Sequence, residues 1–344
     1  MGYKIEIINP LDEPEWDQIV LSTCNYSFFH SSAWANVLSD SYRYRPLYFT
    51  ISTQNDFSAL PFMEIKSSIT GTRGISLPFS DYCDPLFTQS IDMNEILNFL
   101  ITSGKKASWK YFEIRASNNF FEALKPSKQF YHHVLRLSNN ENDILAKFRS
   151  STRRNIDKAI RCGVKTKIGN SAHDIVDYYR LHCKTRKYHG LPPQPFKFFR
   201  NIFKFILSNN LGIIVLATYN NKCIAGNVYF HFGKKAYYKY GASDRKYQHF
   251  RASNLVMWEA IKYYIQNSYE SLCFGRTDLD DQGLLQYKNG WGAECTMLKY
   301  YKYDLKNDRF MDEKLITNKT VNIFKHFPML LLRMIGLLLY RHMG

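Results

Sequence analysis

The hydrophobic and polar positions of the chain predict the same order of elements twice. In each half, two strands, a third strand, a helix and a fourth strand follow one another. In the first half these elements are predicted over 46–52, 59–65, 74–79, 92–104 and 109–115. In the second half they are predicted over 211–218, 223–232, 236–241, 252–267 and 271–276. Two copies of a mixed α/β unit are the simplest account of this repetition.

A strongly basic helix is predicted between the two halves, over 142–162. Its apolar residues fall on one face and its lysines and arginines on the other, and Gly163 lies where a C-terminal cap is expected. Arg153 and Arg154 lie in the middle of the helix, whereas cations are favoured by the helix dipole at its end. An anion-binding role for this pair therefore competes with an ordinary solvated face.

The last segment, 311–344, forms a basic and strongly apolar tail. Its apolar run over 329–340 is interrupted by Arg333, whereas about 20 apolar residues are needed to cross a bilayer. The run is therefore too short to span. It is typical of an amphipathic helix that lies in the membrane interface, with cations near the lipid phosphates. The alternative is a terminal helix packed on the protein's own core.

Composition and charge indicate a folded protein that attracts polyanions. The 344 residues are 45% hydrophobic and 16% aromatic, which is sufficient for two domains with their own cores, predicted over 1–135 and 136–310. Lys and Arg number 46 against 30 Asp and Glu, a formal net charge of +16. This excess attracts nucleic acid, phosphorylated sugars, nucleotide cofactors or anionic lipid.

The cysteines and the N-terminus indicate a reducing compartment. Seven widely spaced cysteines include no Cys-x-x-Cys pair, so neither a disulfide framework nor a zinc site is indicated. The first residues turn polar at 9–13 and lack the long apolar core of a secretory signal. We therefore expect a cytoplasmic protein without a bound metal.

The segment 274–292 concentrates glycines, cations and aromatics directly after a predicted strand. Glycines let the backbone approach a ligand closely, and Lys288 and Arg276 could hold a developing negative charge. A structural interpretation stays open. The glycines can serve turns, Tyr287 can belong to the core, and Asp278 can cap a turn or pair with an arginine.

This segment resembles the ending of the FemAB-like transferases, a branch of the GNAT acyltransferase superfamily. The resemblance covers most of 16–301, with further motifs in the family's order at 77–82, 153–163, 225–226 and 240–243. It implies an α/β (α+β) fold of tandem GNAT-like domains, each a mixed, mostly antiparallel sheet flanked by helices, plus the C-terminal amphipathic helix. It also implies an acyltransferase.

The resemblance leaves two donors open. In GNAT enzymes the strand–helix junction usually carries glycines whose backbone cradles the pyrophosphate of coenzyme A, but 244–251 contains none. Arg245 and Arg251 could contact phosphates through their side chains instead. FemAB-like enzymes that take aminoacyl-tRNA also lack this cradle. Because we find no heptads of the coiled-coil insertion that tRNA-dependent members often carry, an acyl-CoA, foremost acetyl-CoA, is the first expectation and aminoacyl-tRNA the alternative.

Catalysis is expected to rest on positioning and electrostatics. The resemblance implies that Lys288 acts at the donor end, where it stabilises the tetrahedral oxyanion beside Tyr287. Arg276 suits a phosphate because its guanidinium binds in bidentate fashion. The residues expected at the donor or its phosphates are Arg276, Arg245, Arg251, Tyr287, Arg153 and Arg154.

The general base is a choice among carboxylates. Asp81 lies in the segment that matches the family's substrate-contacting loop and is the first candidate. Asp278 and Asp84 are the next candidates. Asp84 is also assigned to acceptor binding. Asp81 could equally cap a turn with Ser80.

Three further residues belong to the predicted site. His189 lies in a Gly-x-Pro loop over 185–193 that is similar to a loop near the family's active cleft, although a histidine on the surface is the commoner outcome. Tyr240 and Ser243 end a central strand and are expected to line the acceptor pocket, unless the tyrosine is an ordinary strand aromatic.

The sequence therefore predicts a cytoplasmic acyltransferase, peripheral to the inner face of the cell membrane through its tail. Its acceptor is the amino or hydroxyl group of a cell-envelope glycan, lipid-linked glycan or peptidoglycan precursor. The alternative enzyme is an aminoacyl-tRNA-dependent transferase that forms peptidoglycan bridges. A different class is a module that binds nucleic acid or membrane without catalysis, whose nucleic-acid affinity would fall steeply with salt.

Overall fold

The computed structural model describes residues 5–52, 57–87, 93–117, 124–169, 171–312 and 324–344. The chain forms two compact units. Unit 1 comprises 1–130, 297–317 and 339–344, and unit 2 comprises 131–296 and 318–338.

The elements are numbered in chain order. The strands are β1 (Ile5–Ile8), β2 (Arg45–Pro46), β3 (Tyr48–Ser52), β4 (Phe57–Leu60), β5 (Met63–Ile65), β6 (Arg73–Ile75), β7 (Tyr111–Ala116), β8 (Lys128–Arg136), β9 (Lys165–Gly169), β10 (Gly212–Tyr219), β11 (Lys222–Phe232), β12 (Lys235–Ser243), β13 (Ser271–Thr277), β14 (Glu294–Asp304) and β15 (Arg309–Phe310). The α-helices are α1 (Trp16–Ser22), α2 (Ser32–Tyr42), α3 (Met93–Lys106), α4 (Glu141–Lys147), α5 (Ser150–Arg161), α6 (Ala172–Tyr188), α7 (Phe196–Phe205), α8 (Ala252–Gln266), α9 (Gln282–Asn289) and α10 (Met329–Leu339).

Unit 1 contains a small antiparallel sheet, β1-β3-β4, and a larger sheet in the order β2-β5-β6-β7-β14. Its one parallel pair among the described strands is β6 with β7. The strand predicted over 59–65 is two strands, because Pro61 has no N–H to offer a ladder. β4 pairs with β3 before the proline, and β5 pairs with β2 after it.

The sheet of unit 2 has the order β8-β13-β12-β11-β10-β9. Every described neighbour pair in it is antiparallel except β12 with β13. Successive side chains of β11 point to opposite faces. Tyr229 packs with the core side of α8, and Phe230 contacts Tyr240 on the face that α6 and α7 cover. The helices therefore form one layer on each side of the sheet.

The predicted duplication and fold class are confirmed. The order β3, β4 with β5, β6, α3, β7 of unit 1 returns as β10, β11, β12, α8, β13 in unit 2. In both units the helix connects two parallel strands, as a crossover connection requires. Residue 92, where we predicted the first of these helices to begin, lies outside the described residues.

The unit boundaries differ from the predicted domains in two places. The first boundary falls inside β8, at 130/131, rather than at 135. Residues 297–317 belong to unit 1 because β14 pairs antiparallel with β7. Of the predicted tail, residues 324–338 cluster with unit 2 and 339–344 with unit 1, and its definition as a separate segment stays a prediction.

The basic helix predicted over 142–162 is two helices, α4 and α5, separated at Phe148. This residue has extended backbone angles, φ −75° and ψ 141°. Its ring is buried edge-on against Trp258 and Trp291, at centroid distances of 5.5 and 5.0 Å. Burying an aromatic ring outweighs the one or two hydrogen bonds that a continuous helix would add. Gly163 adopts φ +76° directly after α5, as expected of a helix end.

The C-terminal helix α10 has 11 residues. Among the described residues, no helix is both long enough and apolar enough to cross a bilayer.

We predict that Phe148→Ala lowers the free energy of unfolding by about 3–5 kcal/mol, because the substitution leaves a cavity between two tryptophans. Urea denaturation followed by tryptophan fluorescence measures the change. Ile160→Ala on the exposed face of α5, where 55% of the residue is accessible, is the control and should stay within about 0.5 kcal/mol. Equal effects of the two variants would contradict a stabilising role for Phe148.

Candidate active site

The parallel pair β12–β13 is hydrogen-bonded only at its start. The paired residues run from Lys235 opposite Ser271 to Tyr237 opposite Cys273, and the pairing ends there. β12 nevertheless continues to Ser243 and β13 to Thr277. The two strands therefore separate after Cys273 and leave an opening in the middle of the sheet of unit 2.

Both strands are irregular at this opening. β12 carries an extra residue, because Val228 and Tyr229 of β11 face Tyr240 and Tyr238. The register of β13 against β8 shifts between Cys273 and Arg276, where Gly275 adopts φ +70°. Such bulges re-aim side chains and end regular pairing, and a glycine accepts the positive φ without steric cost.

A cleft of about 680 Å³ lies where β12 ends. Its walls are the last turn of α6, the end of β12, the 3₁₀ turn Arg245–Phe250 and the start of the C-terminal segment. Five cations and one carboxylate line it, namely Lys184, Lys187, Arg245, Lys246, Lys325 and Asp244. This arrangement favours an anionic ligand.

The carboxylate does not neutralise the cleft. Asp244 pairs with Lys184 at 2.7 Å, and its other oxygen accepts the backbone N–H of Lys246. Desolvation opposes ionisation of Asp244, but these two hydrogen bonds outweigh it and lower the pKa of the carboxyl. Across the described part of the chain, no ion pair involves Lys187, Lys246 or Lys325. Arg245 lies over the ring of Tyr188, 4.1 Å from its centroid.

His189 lies in the same cleft, directly after α6. Partial burial, followed by the charge of Arg186, lowers the pKa of its imidazole. The ring is therefore neutral at pH 7 and able to accept a proton. The loop predicted over 185–193 is shorter than expected, because α6 continues to Tyr188.

Several backbone donors at the strand–helix junction are already engaged within the chain. In the 3₁₀ turn and the start of α8, the N–H groups of Tyr247, Arg251 and Asn254 bond to carbonyls of the same segment. Arg251 adopts φ 60° just before α8, and its side chain is exposed. Phosphate binding here would therefore depend on side chains, as the absence of glycines in the sequence indicates.

Lys288 occupies a different environment from the other cations. It lies on α9, is 2% exposed, and its ammonium donates to the carbonyls of Gly275 and Arg276 at 3.0 and 2.8 Å. It thus holds α9 against the end of β13, beside the opening. Its predicted role at the oxyanion stays a prediction.

The other predicted site residues of segment 274–292 differ in their exposure to solvent. Arg276 and Asp278 are exposed where β13 ends. Tyr287 is half-buried against Trp291, at a centroid distance of 5.9 Å, and burial raises the pKa of its phenol. The phenol is therefore neutral and contributes no charge to a donor.

Tyr240 and Ser243 lie in the last four residues of β12, at the end of the strand as expected. Ser243 lines the cleft and exchanges hydrogen bonds with Thr185, its N–H donating to the hydroxyl and its carbonyl accepting from it. Tyr240 packs against His182 and Phe199, at centroid distances of 6.4 and 5.7 Å. Burial and the charge of Arg186 lower the pKa of His182 to about 3, so it stays neutral.

Arg153 and Arg154 are exposed on α5, a helix that packs on α8. They lie on the layer opposite α6, whose last turn forms the cleft. The structure does not bring them together with the cleft cations, so their anion-binding role stays a prediction.

The two remaining predicted residues lie in unit 1. Asp84 is buried and accepts hydrogen bonds from the backbone N–H and the hydroxyl of Ser117, and its own carbonyl accepts from His30. Asp81 is half-buried, and its carbonyl accepts from the hydroxyl of Tyr300. These contacts hold Asp84 in place within unit 1, and the roles of Asp84 in acceptor binding and of Asp81 as a base stay predictions.

Sequence reasoning missed Lys184, Lys187 and Lys325, which line the cleft, and the buried pair of His132 and Cys273. The lysines come from α6 and from the C-terminal segment, far apart in the chain. No local pattern marks them, because their proximity is a result of folding. Within the described ranges, no group of three or more His, Cys, Asp or Glu side chains could hold a metal ion.

Comparisons with known proteins assign the class. Residues 146–289 match the family model described as an acetyltransferase (GNAT) domain. The fold is similar to that of FemX, with a TM-score of 0.67 at 14% identity over 90% of this chain and 98% of that one. A tandem GNAT protein from the clavulanic acid biosynthesis pathway has a TM-score of 0.58 at 9% identity, covering 88% and 99% of the two chains.

A third similar structure is the C-terminal domain of a protein described as a lysylphosphatidylglycerol synthetase, from Agrobacterium fabrum. Its TM-score is 0.55 at 12% identity, over 85% of this chain and 90% of that one. No curated protein matches this chain in sequence.

Residues 146–289, which lie in unit 2, therefore form a GNAT acetyltransferase domain, and the chain has the fold of tandem GNAT-like proteins. The family match is to a GNAT acetyltransferase domain within residues 146–289, and the likeness to FemX is a likeness of fold.

We predict that Lys288→Met lowers the free energy of unfolding by about 1–3 kcal/mol, because it leaves two carbonyls beside β13 without their donor. Chemical denaturation measures this change. The matched control is Lys158→Met on the exposed face of α5, which should stay within about 0.5 kcal/mol. An unchanged stability with abolished turnover would instead make Lys288 a purely catalytic group.

Proposed function

We propose that unit 2 transfers an acyl group from a phosphate-bearing donor to an amino or hydroxyl group of a cell-envelope glycan or peptidoglycan precursor. The observation that carries this proposal is the cationic cleft beside the opening between β12 and β13. Among the described residues, Lys187, Arg245 and Lys325 form no ion pair there, and Lys246 lies near Asp244 without a direct salt bridge. A donor with several phosphates would meet a complementary surface.

An acyl-CoA is the first candidate donor. From Ser243 in the cleft to Tyr237 at the end of the paired region, six residues of strand span about 20 Å, at roughly 3.3 Å per residue. A long, thin pantetheine arm would follow this opening, with its phosphates in the cleft and its thioester near Cys273. The tandem GNAT protein of similar fold is described in a form without AcCoA, which associates this architecture with that donor.

The chemistry needs a base and a group that stabilises the oxyanion. His189 lines the cleft assigned to the phosphates, so in this arrangement it would help hold the donor, and the base would lie nearer the thioester. Backbone N–H groups at the bulge of β12, with Lys288 supporting the end of β13, would face the carbonyl at the opening. His189, Lys288 and Arg276 are therefore the residues whose substitution we expect to lower turnover rather than stability alone.

Donor binding tests the cleft. In the double variant Lys187→Ala with Lys325→Ala, we predict that the dissociation constant for acetyl-CoA rises at least about tenfold, since each charged hydrogen bond contributes about 1.5–3 kcal/mol. Isothermal titration calorimetry at fixed salt measures it. The control is Lys158→Ala with Lys222→Ala, two exposed lysines outside the cleft, for which affinity should not change. An unchanged affinity in the cleft variant would place the donor elsewhere.

Aminoacyl-tRNA is the second candidate donor. The observation that favours it is the glycine-free strand–helix junction together with a wide cleft lined by cationic side chains. Charged tRNA would bind with an affinity that falls steeply as salt rises. Turnover with charged tRNA but with no acyl-CoA, in the same assay, would establish this donor in place of the first.

The acceptor's location is suggested by α10. Five large apolar side chains of this helix are 41–74% exposed: Leu330, Leu331, Met334, Leu337 and Leu338. Their spacing places them along one stripe, and the helix is anchored on its other side, where Leu332 and Gly336 are buried. A Cβ at Gly336 would lie 2.0 Å from the carbonyl of Pro193, so only glycine permits this approach.

The charge around this stripe suits an anionic bilayer. Residues 324–344 contain three Lys or Arg and two His but no Asp or Glu. Interfacial helices combine an apolar face with flanking cations in this way. We therefore place α10 in the interface of a membrane that holds a lipid-linked acceptor, on the cytoplasmic side. A neighbour in fold that is named for lysylphosphatidylglycerol synthesis supports a lipid-linked acceptor.

Vesicle co-sedimentation tests this placement. We predict that Leu330→Ser, Met334→Ser and Leu337→Ser together lower binding to phosphatidylglycerol-containing vesicles at least about tenfold, because each buried apolar side chain contributes about 1.5–3 kcal/mol. Ile160→Ser, on the exposed face of α5, is the control and should bind as the wild type does. If the triple variant instead abolishes a dimer in solution, the stripe is an interface between two copies of the chain.

A further inference from the structure

Cys273 and His132 form a buried pair at the opening of the sheet. The imidazole Nε2 lies 3.1 Å from the thiol Sγ, and each residue is 5% exposed. Cys273 is the last residue of β13 that pairs with β12, and His132 comes from the neighbouring strand β8. The pair thus lies where the two parallel strands begin to separate.

The hydrogen bonds around the pair are compatible with a thiol that donates to the imidazole. The backbone N–H of Gly275 approaches Sγ at 3.3 Å and can only donate, so the sulfur accepts there. The thiol can direct its own proton to Nε2 of His132 in the tautomer that carries its ring proton on Nδ1. Nδ1 then donates toward the hydroxyl of Thr296, 3.4 Å away. We adopt this tautomer because it lets the ring accept the thiol proton.

This arrangement is the one that activates a sulfur nucleophile. A thiol, a base within hydrogen-bond reach and a third group that orients the base are the shared parts of such sites. The N–H of Gly275 adds a donor that stabilises the thiolate when the proton leaves. The bulge of β13 supplies this donor, because Gly275 turns its backbone with φ +70°.

The face of the sheet also fits this function. Side chains of Leu272 and Phe274 point into the core beneath α8, so Cys273 between them points to the opposite face. Its neighbour on β12, Tyr237, pairs with Phe230, which belongs to that same face. The thiol therefore lies on the α6 side of the sheet, the side on which α6 ends at the cationic cleft.

We propose that Cys273 receives the acyl group from the donor as a thioester and then passes it to the acceptor, with His132 moving the proton. In the first step the Cys273 Sγ–acyl bond forms and the donor's acyl–sulfur or acyl–oxygen bond breaks. His132 takes the thiol proton and gives it to the leaving group. In the second step the acceptor's amine or hydroxyl attacks, its proton leaves through His132, and the thiol is restored.

This two-step route rests on the proposed function for its donor, but it changes the order of events. The donor can leave before the acceptor binds, so one opening can serve both substrates in turn. Burial of the pair also keeps water from the thioester. His132 acts on the reacting sulfur, and Thr296 is a positioning residue that orients the ring.

Covalent labelling tests the nucleophile with two kinds of acyl donor. The purified full chain is incubated without acceptor, either with acetyl-CoA or charged tRNA, or with p-nitrophenyl acetate, which needs no cationic cleft. Peptide mass mapping then locates hydroxylamine-sensitive acyl groups, while donor turnover is recorded in parallel. We expect acylation at Cys273 and a burst of about one equivalent, both lost in Cys273→Ala and reduced at least tenfold in His132→Gln.

Cys183→Ser is the matched control, because Cys183 is also buried in unit 2; this variant should acylate Cys273 as the wild type does. The wild type could turn over the natural donor without an adduct, and Cys273→Ala could do so at an undiminished rate. That result would overturn the role of Cys273 as the nucleophile and leave the proposed function intact. Labelling by p-nitrophenyl acetate alone would support the nucleophile and reject the proposed donors. If neither kind of donor labels Cys273, the nucleophile is rejected. Should Cys273→Ala fail to fold, the wild-type adduct map decides.

Discussion

The early end of hydrogen bonding between β12 and β13 is the constraint on which the rest of unit 2 depends. Two parallel strands that remain paired leave no room for a ligand in the plane of a sheet. Here pairing ends at Tyr237 and Cys273, and bulges in both strands prevent its return. The ammonium of Lys288 then holds the carbonyls of Gly275 and Arg276, so the end of β13 stays fixed beside the opening.

The groups around this opening differ in charge and in burial. The cations of the cleft are exposed to solvent and suit a mobile, phosphate-bearing ligand, since screening weakens their effect on folding stability. Several buried or half-buried groups nearby are neutral, because burial lowers the pKa of His182 and His189 and raises that of Tyr287. The buried cation beside the opening is Lys288, whose ammonium is satisfied by two backbone carbonyls.

Much of the fold could be predicted because its elements are encoded locally. Period-two alternation and a helical stripe identified the duplicated order, and Gly163 marked a helix end. The errors have tertiary causes. Phe148 divides a helix that its sequence pattern continues, because two tryptophans from distant segments bury its ring. β14 joins unit 1 because it pairs with β7. Nearly 200 residues separate the two strands in the chain, so no local pattern predicts this pairing.

The sequence by itself determined the class of protein, the repeated α/β order, the absence of glycines at the strand–helix junction and the apolar tail. Each of these depends on residues close together in the chain. Only the tertiary structure decided which polar groups meet. Lys184 and Lys325 join Arg245 in one cleft, and His132 on β8 contacts Cys273 on the adjacent strand β13. Contacts between distant segments leave no local pattern, because they arise from the register of a sheet and the packing of helices on it.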